Sequence, residues 1–307
     1  MKYCFITGGC GFIGQALIKD LIKKKFYIDV LDLSGKNKNK IKSKHVRYFS
    51  GDIAVKKSFR KFTKDYNIAF HLAAQTSSRL SELDYLKDIK TNIMGSYNFC
   101  EWAKQYKPKK VIFTSSMSVY GKTANAVKES EICNPSSIYG MSKLYAEKIF
   151  ERLKKDGVKV LIFRLFNIYG PGQDMKNLNQ GMFSIYLAQA MRNKKINVTG
   201  SLNRYRDFVY ITDTVKALLI EPKNKKNWII NLGTGEKTKV KEILKIIKKN
   251  LKMKKLKIIV KSSYFEDTWG SYADNTILKK EGLKNLININ FGAKETIKNI
   301  LKNEQKN

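Results

Sequence analysis

Apolar positions along the chain follow two spacings, and each spacing predicts an element. Tyr3, Phe5 and Ile6 form a short apolar run, the pattern of a buried strand. Phe12, Ile13, Ala16, Leu17, Leu21 and Ile22 then recur on one face of a 3.6-residue repeat, which predicts a helix. Residues 27–33, 46–49 and 68–74 predict three further strands, and residues 81–105 one long helix. Pro108 ends that helix ahead of a strand at 111–114. Pro135 with Ser136 and Ser137 marks another helix start, and residues 180–191 form an amphipathic helix whose Met and aromatic stripe reads as core. Strands alternating with helices on this scale specify an α/β chain built on a doubly wound parallel sheet.

The first strand meets the first helix at Thr7-Gly-Gly-Cys-Gly-Phe-Ile-Gly14. Gly8 permits the tight turn, Gly11 lets backbone approach a pyrophosphate, and Gly14 lets the helix pack on the strand. The helix start at Phe12 and Ile13 then offers N–H groups and a positive dipole end to phosphates. A glycine turn alone is weak evidence, but one that follows a strand and opens a helix is the context of a dinucleotide-binding Rossmann-type fold. Asp32 ends the second strand, 24 residues beyond Gly8, where a carboxylate meets ribose hydroxyls and repels a 2′-phosphate. NAD is therefore expected over NADP, a preference that nearby Lys36 and Lys38 weaken. Gly51-Asp52-Ile53 follows the third strand and places Asp52 beside the adenine. The fourth strand runs through Leu72 into Ala73 and Ala74, small residues suited to backbone lying close to a cofactor. His71 reads as a packed strand-end residue and His45 lies in a Lys-rich loop, so imidazole catalysis is not expected.

Composition narrows the picture. With 307 residues the chain suits one large α/β domain and a smaller lobe, divided here as residues 1–165, with returning segments near 205–232, and residues 166–307. No apolar run approaches twenty residues, and the start of the chain runs directly into Lys2 and a strand, so neither a membrane span nor a cleaved leader is expected. Cys4, Cys10, Cys100 and Cys133 show no CxxC spacing and suit free thiols in a reducing cytoplasm, with no metal site. The net charge of +34 comes from 52 lysines and only eight arginines, scattered rather than gathered on one face. It fits a lysine- and asparagine-rich codon bias better than a nucleic-acid surface. It still favours an anionic substrate.

The chemistry starts at Phe113-Thr-Ser-Ser-Met-Ser-Val-Tyr-Gly121, on the end of a parallel strand where such sheets bind ligands. In Asn134-Pro-Ser-Ser-Ile-Tyr-Gly-Met-Ser-Lys143, Tyr139 and Lys143 are i, i+4 neighbours on one helix face. A phenol of pKa about 10 is a poor base at neutral pH. A lysine ammonium one turn away and a nicotinamide cation both favour its phenolate. Ser116 stands 23 residues before the tyrosine.

These motifs together resemble the extended short-chain dehydrogenase/reductases, the NAD-dependent epimerase/dehydratase family acting on nucleotide sugars. The likeness continues through Asn92, Arg164-Leu-Phe-Asn-Ile-Tyr-Gly-Pro171, Arg206-Asp-Phe-Val-Tyr-Ile-Thr-Asp213 and Asn231-Leu-Gly-Thr-Gly235. It implies a Rossmann domain with a smaller α/β substrate-binding lobe. It also implies that Ser116 binds the reacting sugar oxygen, that Tyr139 moves the proton, and that Lys143 holds the nicotinamide ribose and tunes Tyr139. Asn167 would contact the sugar nucleotide and Arg206 its diphosphate. Cofactor contacts would come from Gly8, Gly11, Phe12, Ile13, Gly14, Asp32, Asp52, Ile53, Leu72, Ala73, Ala74, Asn92, Tyr139 and Lys143. A homodimer built from the helices around 81–105 and 139–156 is implied as well.

Within that family the residues after Ser116 separate reactions. Dehydratases resembling this chain place Asp-Glu there, and xylose-forming decarboxylases usually Ser-Glu. Here the pair is Met117-Ser118, without a carboxylate. The resemblance then points to a nucleotide-sugar 4-epimerase of carbohydrate biosynthesis, through a 4-keto sugar. Two alternatives stay open: a C4 dehydrogenase or reductase with exchangeable cofactor, and a non-catalytic nucleotide- or RNA-binding protein. The second phosphate-binding arginine of many relatives has no counterpart in residues 264–274, where Arg204, Lys261 or backbone groups would serve instead. Trp269 is read equally as a base-stacking or a packing residue.

Overall fold

The computed structural model describes residues 1–33, 40–123, 125–177, 181–224, 226, 228–262 and 270–304. Lys36, Lys38, Gln180 and residues 264–269, Trp269 among them, lie outside the described residues. The chain folds into two compact units. The first comprises Met1–Val119, Cys133–Arg164 and Glu221–Ile230; the second comprises Tyr120–Ile132, Leu165–Ile220 and Asn231–Asn307.

The first unit begins with β1 (Lys2–Thr7), α1 (Phe12–Lys23), β2 (Phe26–Asp32), β3 (Val46–Ser50), β4 (Ile68–His71) and β5 (Val111–Ser116), with a helical stretch between β4 and β5. The seven-stranded sheet has the order Ile229–Leu232, Val160–Leu165, β5, β4, β1, β2, β3. Pairs β1–β2, β2–β3, β1–β4 and β4–β5 are parallel. Strand order therefore reverses between β1 and β4, which makes the crevice beyond their C-terminal ends the place for a ligand. The strands are apolar because both faces are covered. On one face Phe5 stacks on Phe62 at 4.2 Å and meets the edge of Trp102 at 4.6 Å, and the indole Nε1 donates to the Phe62 carbonyl at 2.7 Å.

The expected helix over 81–105 is interrupted. The structure has α2 (Ser78–Leu83), α3 (Tyr85–Asp88), a widened turn at Ile89–Met94 and α4 (Gly95–Tyr106). Asp84 is the cause of the first break: its backbone leaves the helical region and its carboxylate accepts the Lys87 N–H at 2.9 Å, starting a new helix. The widened turn carries Asn92, whose side chain is buried against Gln75, Asp88 and Ser142. The α4 helix then ends at Lys107 in the left-handed region, just before Pro108. The helix predicted from Pro135 is α5 (Ile138–Lys155), with Ser137 as its N-cap. The strand expected over 68–74 stops at His71.

The second unit is built around Tyr169, Phe183, Leu187, Phe208 and Ile243, with helices at Met182–Asn193, Val240–Asn250 and Ile289–Glu304. Strand Asn167–Tyr169 pairs in parallel with Phe208–Tyr210, and Tyr205–Arg206 pairs in parallel with Gly270–Ala273. Asp207 ties this unit together from a fully buried position. Its carboxylate accepts the N–H groups of Thr234, Gly235 and Ala273 at 2.8, 2.9 and 3.1 Å and the Thr234 hydroxyl at 2.6 Å. Burial raises the pKa of this carboxyl, and the bonds from Thr234, Ala273 and Gly235 act in the opposite direction.

One ionic cluster sets a stability prediction. Asp29 on β2 is 3% exposed and accepts Arg47 Nε and Nη2 at 2.7 and 2.8 Å and the Tyr66 hydroxyl at 2.7 Å. Burial alone raises its pKa, but these bonds and the Lys64 charge outweigh burial and hold it below the ordinary carboxylate value. A carboxylate with a depressed folded pKa contributes stability that is present above the unfolded value, about 3.9, and lost as pH falls through the lower folded one. Asp29→Asn is expected to cost about 2 kcal/mol at pH 7 and to flatten the loss of stability below about pH 4. Urea unfolding at pH 7 and pH 3 checks both; an unchanged pH slope would remove Asp29 from this role.

Candidate active site

The glycine turn is held by contact. Gly8 has φ +75°, and a Cβ there would lie 2.6 Å from the Ala73 nitrogen, so β1 and the segment after β4 approach closely. A Cβ on Gly14 would lie 2.5 Å from the Gly8 carbonyl oxygen. Gly9, which the glycine spacing passes over, is equally constrained: its Cβ would meet Val30 at 2.5 Å. Its signal was present as the second glycine of the pair. α1 has Gly11 as N-cap, no side-chain cap and no acidic residue in its first turn. This leaves Phe12 and Ile13 at a bare helix start suited to an anion.

Asp32, expected to meet a ribose, has partners of its own in the loop. Its Oδ2 accepts the Cys10 N–H and its Oδ1 the Leu33 N–H, both at 2.8 Å, so it also shapes the glycine loop. Asp52 is exposed and its Oδ1 accepts the Ala54 N–H at 2.8 Å, while Ile53 is buried and packs against Gly95. Leu72, Ala73 and Ala74 are half-buried just past β4. Asn92 is 2% exposed, and its side chain accepts the Gln75 N–H and donates to Gln75, Asp88 and Ser142, so it braces the segment after β4. His71 is packed and neutral: burial, then the Lys143 charge, push its pKa well below normal, and its ring nitrogens pair with Thr7 and Ser96.

Ser116, Tyr139 and Lys143 come together in the first unit. Ser116 ends β5, accepts the Ser118 N–H at 3.1 Å and is hydrogen-bonded to the Tyr139 phenol. Met117–Val119 forms the tight turn after it, against which Gly140 packs so closely that a Cβ would lie 2.5 Å from the Ser118 carbonyl oxygen. Tyr139 and Lys143 stand one turn apart on α5, and both are buried. The Lys143 ammonium lies 4.3 Å from the centre of the Phe113 ring, a cation–π contact. Beneath it, Glu147 is clamped by Arg164 through bonds of 3.0 and 2.8 Å and accepts from the Ser115 hydroxyl, which anchors α5 to β5.

Burial dominates the proton affinities. It raises the Tyr139 phenol to about 12, with the Ser116 hydrogen bond pulling it down and the Asp88 charge adding to the rise. It lowers Lys143 to about 7, against the opposing pull of Glu147 and Asp88. The lysine is expected to lower the phenol when charged; among the groups acting on Tyr139 here, Ser116 is the one that acts downward. Asp88 is fully buried and was missed by sequence reading. Its i, i+4 spacing to Asn92 was the available signal.

Asn167 and Arg206 belong to the second unit. Asn167 Nδ2 donates to the Asp207 carbonyl at 3.0 Å, which places the two residues side by side. Arg206 is 9% exposed, and its Nη1 donates to its neighbour's carbonyl at 2.8 Å. Arg204 is buried with its guanidinium 3.3 Å from the Tyr186 hydroxyl, whereas Lys261 is exposed at the end of its strand. Among the described residues no cluster of three or more His, Cys, Asp or Glu is arranged for a metal, and no helix is long and apolar enough to cross a membrane.

A doubly wound sheet with a glycine cradle at its switch point, a carboxylate closing β2, a serine closing β5 and Tyr and Lys one turn apart on α5 define a dinucleotide-dependent short-chain dehydrogenase/reductase. Residues 4–233 match the model of the NAD dependent epimerase/dehydratase family, and the chain belongs to that family. A Methanocaldococcus jannaschii protein provisionally assigned as a UDP-glucose 4-epimerase is 37% identical over 250 residues, 79% of this chain and 80% of that protein. A Thermotoga maritima UDP-glucose 4-epimerase solved with UDP-glucose shares 30% identity and a TM-score of 0.91 over 98% of this chain and 99% of that one. The Thermus thermophilus UDP-glucose 4-epimerase, solved with NAD, shares 25% identity and a TM-score of 0.87 over 97% and 99%. Relatives at 30% identity also include a decarboxylase and dehydratases. The glycine cradle, the uncapped α1 and Asp32 fit NAD, the cofactor of the family.

Asp32→Ala is expected to lower NAD affinity about tenfold, since it removes a charged hydrogen-bonding group, and to narrow the preference over NADP. Titration calorimetry with both cofactors checks this; tighter NADP binding by the unaltered protein would reverse the assignment.

Proposed function

We propose that the chain is a nucleotide-sugar 4-epimerase, with UDP-sugars as the first substrates to test. The observation that carries this reading is the buried Ser116–Tyr139–Lys143 group beside a turn whose residues, Met117 and Ser118, supply no carboxylate for elimination or decarboxylation. The likeness to UDP-glucose 4-epimerases supports it. NAD supplies the hydride acceptor and donor at C4, and its positive ring favours the phenolate. Tyr139 Oη takes the proton of the C4 hydroxyl and later returns it. Ser116 Oγ hydrogen-bonds the same sugar oxygen, which fixes C4 against the phenol. Lys143 is expected to hold the nicotinamide ribose and, when protonated, to lower the Tyr139 pKa. Arg206 and Asn167 are expected to take the diphosphate and the adjoining sugar nucleotide. On this reading a flat 4-keto sugar would turn over in the site and present its other face for reduction. A cytoplasmic setting fits four cysteines without disulfides.

The homodimer belongs to the same proposal. Leu83 is 72% exposed, Leu86 68% and Tyr145 58%, and Met94, Tyr97 and Met141 are exposed beside them on α2 to α5. So much exposed apolar side chain on adjoining helices of one unit suits a partner surface. Sedimentation is expected to give twice the chain mass, and Leu83→Lys with Leu86→Lys to give the monomer; a monomeric unaltered protein would end the dimer reading.

Incubation with UDP-, GDP-, dTDP- and CDP-sugars without added cofactor, followed by NMR at C4, tests the activity. Inversion at C4 is the expected result; turnover only with added NAD or NADH would favour a dehydrogenase or reductase. Tyr139→Phe should lower turnover by about 10² or more, the scale of a lost proton-transfer group, while cofactor binding stays. Ser116→Ala should cost less. Rates within about twofold for Tyr139→Phe would remove it as the base.

A further inference from the structure

The first turn of a helix leaves N–H groups that its own backbone cannot satisfy. In α5 they are matched one by one. The Ile138 N–H donates to Glu82 Oε1 at 2.9 Å, the Tyr139 N–H to Ser81 Oγ at 3.1 Å and the Gly140 N–H to Ser137 Oγ at 3.1 Å. Only Ser137 is a local cap; the other two acceptors come from α2, and Ser81 stands 58 residues before Tyr139. The Ser81 hydroxyl is used twice, since it also donates to the Ser78 carbonyl at 2.7 Å, which fixes the direction of its lone pairs. The Tyr139 carbonyl is held from the same stretch of chain: Ser142 Oγ donates to it at 3.0 Å and Asn92 Nδ2 donates to Ser142 Oγ at 3.1 Å.

We infer that Ser81 and Glu82 are positioning residues that fix the main chain of the proton-transferring tyrosine. The inference rests on the reading of Tyr139 as the base. Both backbone polar groups of Tyr139 are tied, directly or through Ser142, to side chains of residues 81–92, while the phenol meets Ser116 on β5. The tyrosine is thus set between two separately anchored segments. Proton transfer is sensitive to displacements of about 1 Å, and releasing the N–H of Tyr139 frees the start of α5 to move by that amount. Ser81 is fully buried, so water does not take its place without rearrangement. Glu82 adds a negative charge at the positive end of α5.

The test compares Ser81→Ala, Glu82→Ala and Glu82→Gln in the full chain with NAD, beside the unaltered enzyme and Tyr139→Phe. Measured are kcat, KM for the sugar nucleotide, NAD affinity, folded fraction and hydrogen exchange at the Tyr139 amide. Ser81→Ala is expected to lower kcat about tenfold, a loss of alignment rather than of the base. KM and NAD affinity should stay within about twofold and the Tyr139 amide should exchange faster. Glu82→Ala should lower kcat by a smaller factor, and Glu82→Gln, which keeps the accepting oxygen, should restore most of it. If kcat per folded molecule is unchanged in both alanine variants while Tyr139→Phe is inactive, the positioning role is wrong and the functional reading stands. If the unaltered enzyme turns over no sugar nucleotide, the functional reading itself fails and the role falls with it.

Discussion

Taking a phenol and an ammonium out of water, one turn apart on the same helix, is the constraint on which the site depends. Burial makes the phenol harder to ionise and the ammonium easier to neutralise. The surrounding charges each push on this pair. Glu147 and Asp88 favour the charged lysine, Ser116 favours the phenolate, and Asp88 opposes it. A phenol placed this way keeps its proton at neutral pH. A positive charge brought close to this pair would favour the phenolate. The same burial accounts for the cation–π contact with Phe113 and for the Arg164 clamp on Glu147, since a buried charge must be paired.

The rest of the first unit delivers this helix to the end of β5. Close backbone approach at Gly8 and Gly14 sets the glycine turn at the switch point, and Asp32 shapes that loop through the Cys10 N–H. The broken helical stretch from Ser78 to Tyr106 looks irregular in isolation. Each break serves a contact: Asp84 restarts the helix, Asn92 braces Gln75 and Ser142, and Gly95 makes room for Ile53. The second unit has its own core and its own buried carboxylate, Asp207, beside Arg206 and Asn167.

Much of this was legible in the residues because it is local. The glycine spacing, the carboxylate closing β2 and the four-residue interval from Tyr139 to Lys143 all lie within one turn or one strand end. What was not legible depends on partners far along the chain. Ser81 and Glu82 sit in a stretch whose pattern reads as plain helix, and only the folded chain brings them to α5. Asp84 likewise passed as a polar position of a continuous helix, and Asn92, expected to touch the cofactor, instead braces Gln75, Asp88 and Ser142. The shifted proton affinities of Tyr139 and Lys143 follow mainly from burial, which spacing alone does not reveal. Gly9 was hidden beside Gly8 because its constraint comes from Val30 on the neighbouring strand.

The central claim is that the sugar is oxidised and re-reduced at C4 within one site. A UDP-sugar carrying deuterium at C4, incubated in ordinary water until epimers equilibrate, tests it most directly. The account predicts that deuterium stays on C4 in both epimers, because the hydride leaves and returns without meeting solvent. Loss of deuterium to water during inversion, or inversion at a carbon other than C4, would contradict it.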